Sequence, residues 1–137
     1  MPPSRFRKAA FAAALIWTAA IFLLCLWPGD QLPKTEVPFA DKWTHLILFG
    51  GFSLLWLLAS GRKNAGWLLR MVLIAAALGW LIECLQGWLT FLNRSQDAVD
   101  AFADALGGLL GVLAYLLLTR SLKSQKSRSG NGQTGLS

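Results

Sequence analysis

Charge is scarce in this chain, and acidic charge is scarcest. Only 15% of its 137 residues are charged and seven of them are acidic, against 55% that are hydrophobic. That balance excludes an ordinary soluble domain and points to a single-domain membrane protein. Cysteine is nearly absent. Cys25 and Cys84 fall in or near apolar segments and read as packing residues rather than a disulfide. No serine or cysteine elbow, phosphatase signature or nucleotide-binding loop is visible. Histidine occurs once, as His45. The Glu-x-x-His pairs of di-metal bundles are missing, since Glu83 is followed by Gln86, and neither a metal nor another cofactor is expected.

What the chain does have is apolar length. Four stretches, about 9–27, 43–59, 67–89 and 98–118, are candidates to cross a membrane, which takes roughly 20 apolar residues in a helix. Backbone groups find no partner in lipid, so spanning segments must be helical. The expected fold is all-α, an integral membrane four-helix transmembrane bundle with short loops. A basic N-terminus, 1–8, precedes the membrane domain, 9–118, and a basic tail, 119–137, follows it. The tail is mostly Ser, Lys, Arg, Gln, Gly and Asn and is expected to be disordered. The first stretch has the basic start of a signal peptide, but it is long and no small-x-small site follows it, so it reads as an uncleaved helix.

Basic residues set the topology. Arg5, Arg7, Lys8, Arg62, Lys63, Arg70, Arg120, Lys123, Lys126 and Arg128 lie on one side, and Lys34, Lys42 and Arg94 on the other. The positive-inside rule places both termini in the cytoplasm, with loops 28–42 and 90–97 facing outward. The net charge of +6 is therefore a topology signal, and nucleic acid is not an expected partner. Trp27, Trp43 and Trp88 fall at the outer boundary and Trp67 at the inner one, as interfacial anchors do. Trp80 is expected to pack near the polar cluster, and Trp17 and Trp56 to face lipid or pack.

All the acidic residues belong to the outer side. Asp30 and Glu36 are ordinary loop residues, but the others stand at the membrane boundary or inside it, where a carboxylate costs about 2.5–3.5 kcal/mol at helix centre. On helix four, Asp97, Asp100, Asp104, Gly107 and Gly111 share one face. Gly107-x-x-x-Gly111 permits close approach of another helix, so the carboxylates should point inward with it. Asp97 is placed as the N-cap. Glu83 on helix three and Asp104 on helix four both lie about 9 Å below the outer boundary and are expected to meet, with Arg94 as their clamp. Asp41 and His45 are one turn apart on helix two, where the carboxylate would support the imidazole.

These residues resemble the VanZ-like family of small bacterial membrane proteins. The resemblance rests on Asp41-Lys42-Trp43-Thr44-His45, on Glu83-Cys84-Leu85-Gln86, and on Arg94, Asp97, Asp100 and Asp104 leading into Gly107 and Gly111. It covers about 41–117. The family usually has Asn where this chain has Asp104, and often a Pro before the Arg where this chain reads Thr90-Phe91-Leu92-Asn93. The family's namesake is associated with low-level teicoplanin resistance, so the resemblance implies an outward-facing role in the cell envelope.

The expected function is that of a non-enzymatic envelope protein with an outward-facing polar pocket. It would bind an amphiphile or lipid head group through Asp41, Lys42, His45, Glu83, Gln86, Arg94, Asp100 and Asp104. An alternative is an enzyme on a lipid-linked substrate, with His45 as acid or base, Glu83 as its partner and Arg94 stabilising an anion. A third reading is a polar staple between helices. The inner halves of the helices offer no polar path, which disfavours a channel.

Overall fold

The computed structural model describes residues 4–34 and 36–131, with side chains through 126. Four helices make up the molecule: α1 (Ser4–Cys25), α2 (Ala40–Ser60), α3 (Ala65–Trp88) and α4 (Ala98–Asn131). Single 3-10 turns at Gly29–Gln31 and Thr90–Leu92 interrupt the two connections at one end of the bundle. All four helices are long and apolar enough to cross a membrane, and no strand occurs among the described residues. The fold is the all-α integral membrane bundle that the hydropathy pattern implies.

The helix ends depart from the apolar stretches in instructive ways. α1 begins at Ser4, inside the expected basic N-terminus. Arg7 is thereby held on a helix, and its Nε and Nη2 each donate at 3.1 Å, to the carbonyl oxygens of Ala59 and Ser60. Those carbonyls at the C-terminus of α2 have no helical partner of their own. Gly61, at φ 65, then ends α2 in the left-handed conformation that favours glycine. The apolar stretch of α2 is short, but its polar first turn from Ala40 completes the span. α4 does not stop at 118. It continues to Asn131, so residues 119–131 are helical rather than an unstructured tail. Leu, Lys, Arg and Gln are good helix formers and nothing in that run breaks a helix before Gly130. Residues 1–3 and 132–137, and the Arg128 side chain, lie outside what the structure describes.

The short basic link at 60–66 makes α2 and α3 expected antiparallel neighbours. They do touch, but α2 packs mainly against α4 and α1, and α3 packs mainly against α4. Glycine decides this. A Cβ on Gly107 would collide with the Leu46 carbonyl oxygen, and one on Gly111 with that of Gly50. α2 and α4 therefore meet backbone to backbone, at the Gly107 and Gly111 face read from the sequence. On the other side of α2, Trp17 of α1 lies over Gly51 and its Nε1 donates to the Leu48 carbonyl at 2.8 Å. Ile21, Phe49, Leu57, Ile82 and Tyr115 are almost fully buried between the helices. Ile16, Ile47, Leu73 and Leu117 project outward. Lipid tails are as apolar as these side chains, so close packing and interhelical hydrogen bonds hold such a bundle rather than hydrophobic burial.

Candidate functional site

The end of the bundle that carries the two 3-10 turns is the polar end. Two non-glycine residues in the left-handed region shape it: Phe39 at φ 56, just before α2, and Asn93 at φ 49, just before Arg94. Gly29 of the first connection lies against the second. A side chain there would collide with the Asn93 carbonyl oxygen and crowd the Arg94 stem. The absence of a Cβ thus lets the two loops close on each other.

α4 opens with Asp97 as its N-cap, as the sequence pattern implies. Its Oδ1 accepts from the Val99 amide at 2.8 Å. Its Oδ2 accepts from Lys42 Nζ at 2.8 Å, and Asp100 Oδ1 accepts from the same ammonium at 2.7 Å. Lys42 therefore bridges α2 to the start of α4. The ammonium and the Val99 amide together hold the Asp97 carboxyl below its ordinary range. Glu83 of α3 reaches the same corner, where its Oε2 accepts from the Asp97 amide at 2.7 Å. One residue, Asp97, thus joins three helices.

Deeper in, His45 of α2 is 1% exposed and Asp104 of α4 is fully buried. His45 Nδ1 stands 2.8 Å from Asp104 Oδ1. Gly79 of α3 makes room for this pair, because any side chain there would collide with the Asp104 carboxylate. His45 Nε2 points the other way, 4.0 Å from Asp41 Oδ1 and 4.0 Å from Asp100 Oδ2. The Glu83 and Asp104 carboxylates do approach each other: with His45 they offer ligand atoms within 4.8 Å of one another. Asp41, His45 and Asp100 form a second such set. Glu83 Oε1 and Asp104 Oδ2 are buried without a hydrogen-bond partner.

Three expectations are corrected. Arg94 does not clamp Glu83 and Asp104. Its Nη2 instead lies 3.3 Å from Oδ1 of the half-exposed Asp41, while Glu83 and Asp104 are fully buried with other partners. The carboxylate hydrogen-bonded to His45 is Asp104, not Glu83, because the tight crossing of α2 and α4 sets these two side chains face to face, while the expected Asp41 approaches only to 4.0 Å from Nε2. Trp80 does not pack beside the cluster but is exposed on the outer surface of α3.

Gln86 has a role that the sequence did not signal. Its Nε2 donates at 2.7 Å to the carbonyl oxygen of Cys25, the last residue of α1. Gln86 also lines a cavity of about 310 Å³, together with Gly29, Leu32, Asp41, Asn93, Arg94, Ser95, Asp97 and Asp100. Gly29, Asn93 and Ser95 enter it from the loops. The only signals for them in the sequence are the turn-forming Pro28-Gly29 and the left-handed tendency of Asn93. Lys42, His45, Glu83 and Asp104 do not line this cavity. Lys42 and Glu83 bond to residues that do, and Asp104 bonds to His45.

Searches of the curated proteins and of the solved structures found no match. A family model described as VanZ/LLP1 matches residues 10–119, a span that takes in the greater part of all four helices and every member of the polar cluster. The match agrees with the resemblance carried by Asp41 to His45, Glu83 to Gln86, Arg94 and the Asp100 to Gly111 face, and the chain belongs to the VanZ/LLP1 family.

Proposed function

We propose that this multi-pass protein sits in the bacterial cytoplasmic membrane with both termini inside, opens its polar end outward, and binds the polar head of an envelope amphiphile there. The observation that carries the reading is the 310 Å³ cavity at the loop end, whose wall combines one guanidinium with three carboxylates and two side-chain amides. A few convergent polar groups in a concave site are what a binding pocket needs. Arg94 supplies a bidentate donor for a phosphate or carboxylate of the ligand. Asp41, Asp97 and Asp100, with Gln86 and Asn93, accept from hydroxyl, amide or amine groups. The distribution of Lys and Arg supports the outward orientation.

A larger cavity of about 640 Å³ lies at the opposite end, among Phe11, Phe52, Trp56, Trp67, Met71 and Leu78. Its wall is mostly apolar, so it suits an acyl chain rather than a head group.

The test is a thermal-shift screen of purified protein against envelope lipids and lipid-linked sugars. A ligand that fits should raise Tm in the wild type and lose that protection in Arg94→Ala. Protection that survives Arg94→Ala, or no protection by any head group, would count against the pocket.

A further inference from the structure

We propose that Asp41, His45 and Asp100 form a site for one divalent transition-metal ion behind the polar pocket, with Asp104 as the residue that positions the imidazole. The sequence argues against a metal only because Glu83-x-x-Gln86 lacks a second helical ligand pair. The candidate ligands come instead from facing turns of α2 and α4.

The geometry begins with the imidazole. Asp104 Oδ1, 2.8 Å from Nδ1, accepts the proton of that nitrogen and leaves Nε2 with its lone pair free. Metal-binding histidines are usually held this way, by a carboxylate on the nitrogen that does not ligate. Nε2 then faces Asp41 Oδ1 and Asp100 Oδ2, each at 4.0 Å. Those distances are too long for hydrogen bonds. They suit neighbouring ligands on one ion, which sit about 2.0–2.2 Å from the metal and so roughly 3–4 Å from each other. The two oxygens of Asp100 divide their tasks, because Oδ1 holds Lys42 while Oδ2 faces His45.

A second observation is independent of this spacing. Glu83 Oε1 and Asp104 Oδ2 belong to fully buried residues and have no partner. Both carboxylates come within 4.8 Å of His45. Five carboxylates, Asp41, Glu83, Asp97, Asp100 and Asp104, face Lys42, Arg94 and His45 at this end of the bundle. Negative charge in a buried site is costly, and a dication on Nε2 would offset it from the far side of the ring, since Asp104 stands on Nδ1.

Entry is open, since Asp41 is half-exposed and lines the pocket together with Asp100. One imidazole and two carboxylates favour Zn²⁺ or Mn²⁺ over Ca²⁺ and Mg²⁺, which prefer all-oxygen shells. Three protein ligands leave at least one position for water or a ligand group. The ion also competes with Arg94 for Asp41 Oδ1, and so releases the guanidinium toward the pocket.

The site shares Asp41 and Asp100 with the pocket, but its occupancy does not depend on what the pocket binds. The test is calorimetric titration of chelator-stripped, full-length protein in detergent with zinc chloride alone, no lipid being added. The expected result is one saturable site per chain. Asp104→Asn should weaken binding about 10–100-fold, as loss of an outer carboxylate does, and shift the visible spectrum of the Co²⁺-substituted protein. His45→Gln should abolish binding. If that buried variant fails to fold, Asp41→Asn, at a half-exposed residue, should still weaken binding while Tm without metal holds. No saturable binding in the wild type, or an unchanged titration in Asp41→Asn, would overturn the site. Lipid protection without zinc binding would remove this inference and leave the pocket standing. Zinc binding without lipid protection would do the reverse.

Discussion

His45 Nδ1 and Asp104 Oδ1 stand 2.8 Å apart across the crossing of α2 and α4, on residues that are almost wholly buried. Each residue makes the other tolerable, since the imidazole gives the carboxylate a donor and the carboxylate fixes the ring. Glycine brings the two helices close enough for this, since Gly107 and Gly111 on α4 lie against the Leu46 and Gly50 carbonyls of α2. Gly79 on α3 leaves room for the pair.

Loss of that bond should cost stability without loss of volume. Asp104→Leu leaves the His45 donor buried and unpaired, a penalty of about 1–3 kcal/mol. Asp104→Asn keeps an acceptor oxygen and should lie within about 1 kcal/mol of the wild type. Reversible unfolding in mixed micelles measures both.

Glycine at the crossing should be far less replaceable than glycine at the basic end. Gly111→Leu drives a side chain into the Gly50 carbonyl and Ser53. The cost should be about 1–3 kcal/mol or more, as for overpacking. Gly66→Ala meets nothing within 4 Å and should leave Tm unchanged or slightly raised. A thermal scan of the two variants side by side checks the contrast.

The contact between Lys42 and Asp97 should be insensitive to pH across the neutral range and weaken only in acid. Asp97 is held below its ordinary value of 3.8, chiefly by the Lys42 ammonium. A depressed carboxyl contributes stability that is fully present above its unfolded value and is lost as pH falls through its folded value. Between about pH 5 and 8 this contribution is complete, so Tm should show no pH dependence from this group there. Below that window the wild type should lose more Tm than Asp97→Asn does. An equal loss in both proteins would show that the bridge contributes nothing.

Orientation gives a separate prediction. In cells, Ser95→Cys should react with a membrane-impermeant maleimide added from outside, and Arg62→Cys should react only after permeabilisation. Cys25 is buried and Cys84 partly so, which keeps the background low. The opposite pattern would invert the proposed topology.

Much of this was legible in the chain. Hydropathy and length define the four helices, because lipid leaves the backbone no alternative. The spacing from Asp97 to Gly111 showed one face that is both acidic and small. Asp97 was recognisable as an N-cap because the pattern is local. Helix ends were less legible, since the propensity of a polar run such as 119–131 competes with its poverty in core residues. Pocket-lining Gly29, Asn93 and Ser95 carry only turn signals, and the Gln86 bond to the Cys25 carbonyl carries none.

By itself, then, the sequence determined the class of fold, the family and the set of polar residues that gather at one end. Those follow from composition and from periodicities within single helices. The tertiary structure decided which groups pair. Asp104 rather than Asp41 bonds His45, Arg94 takes Asp41 rather than Glu83, and Lys42 spans Asp97 and Asp100. The reason is geometric: spacing fixes neighbours one turn apart on a helix, but partners across helices depend on how closely the backbones approach. Here missing side chains at Gly107 and Gly111 set that approach.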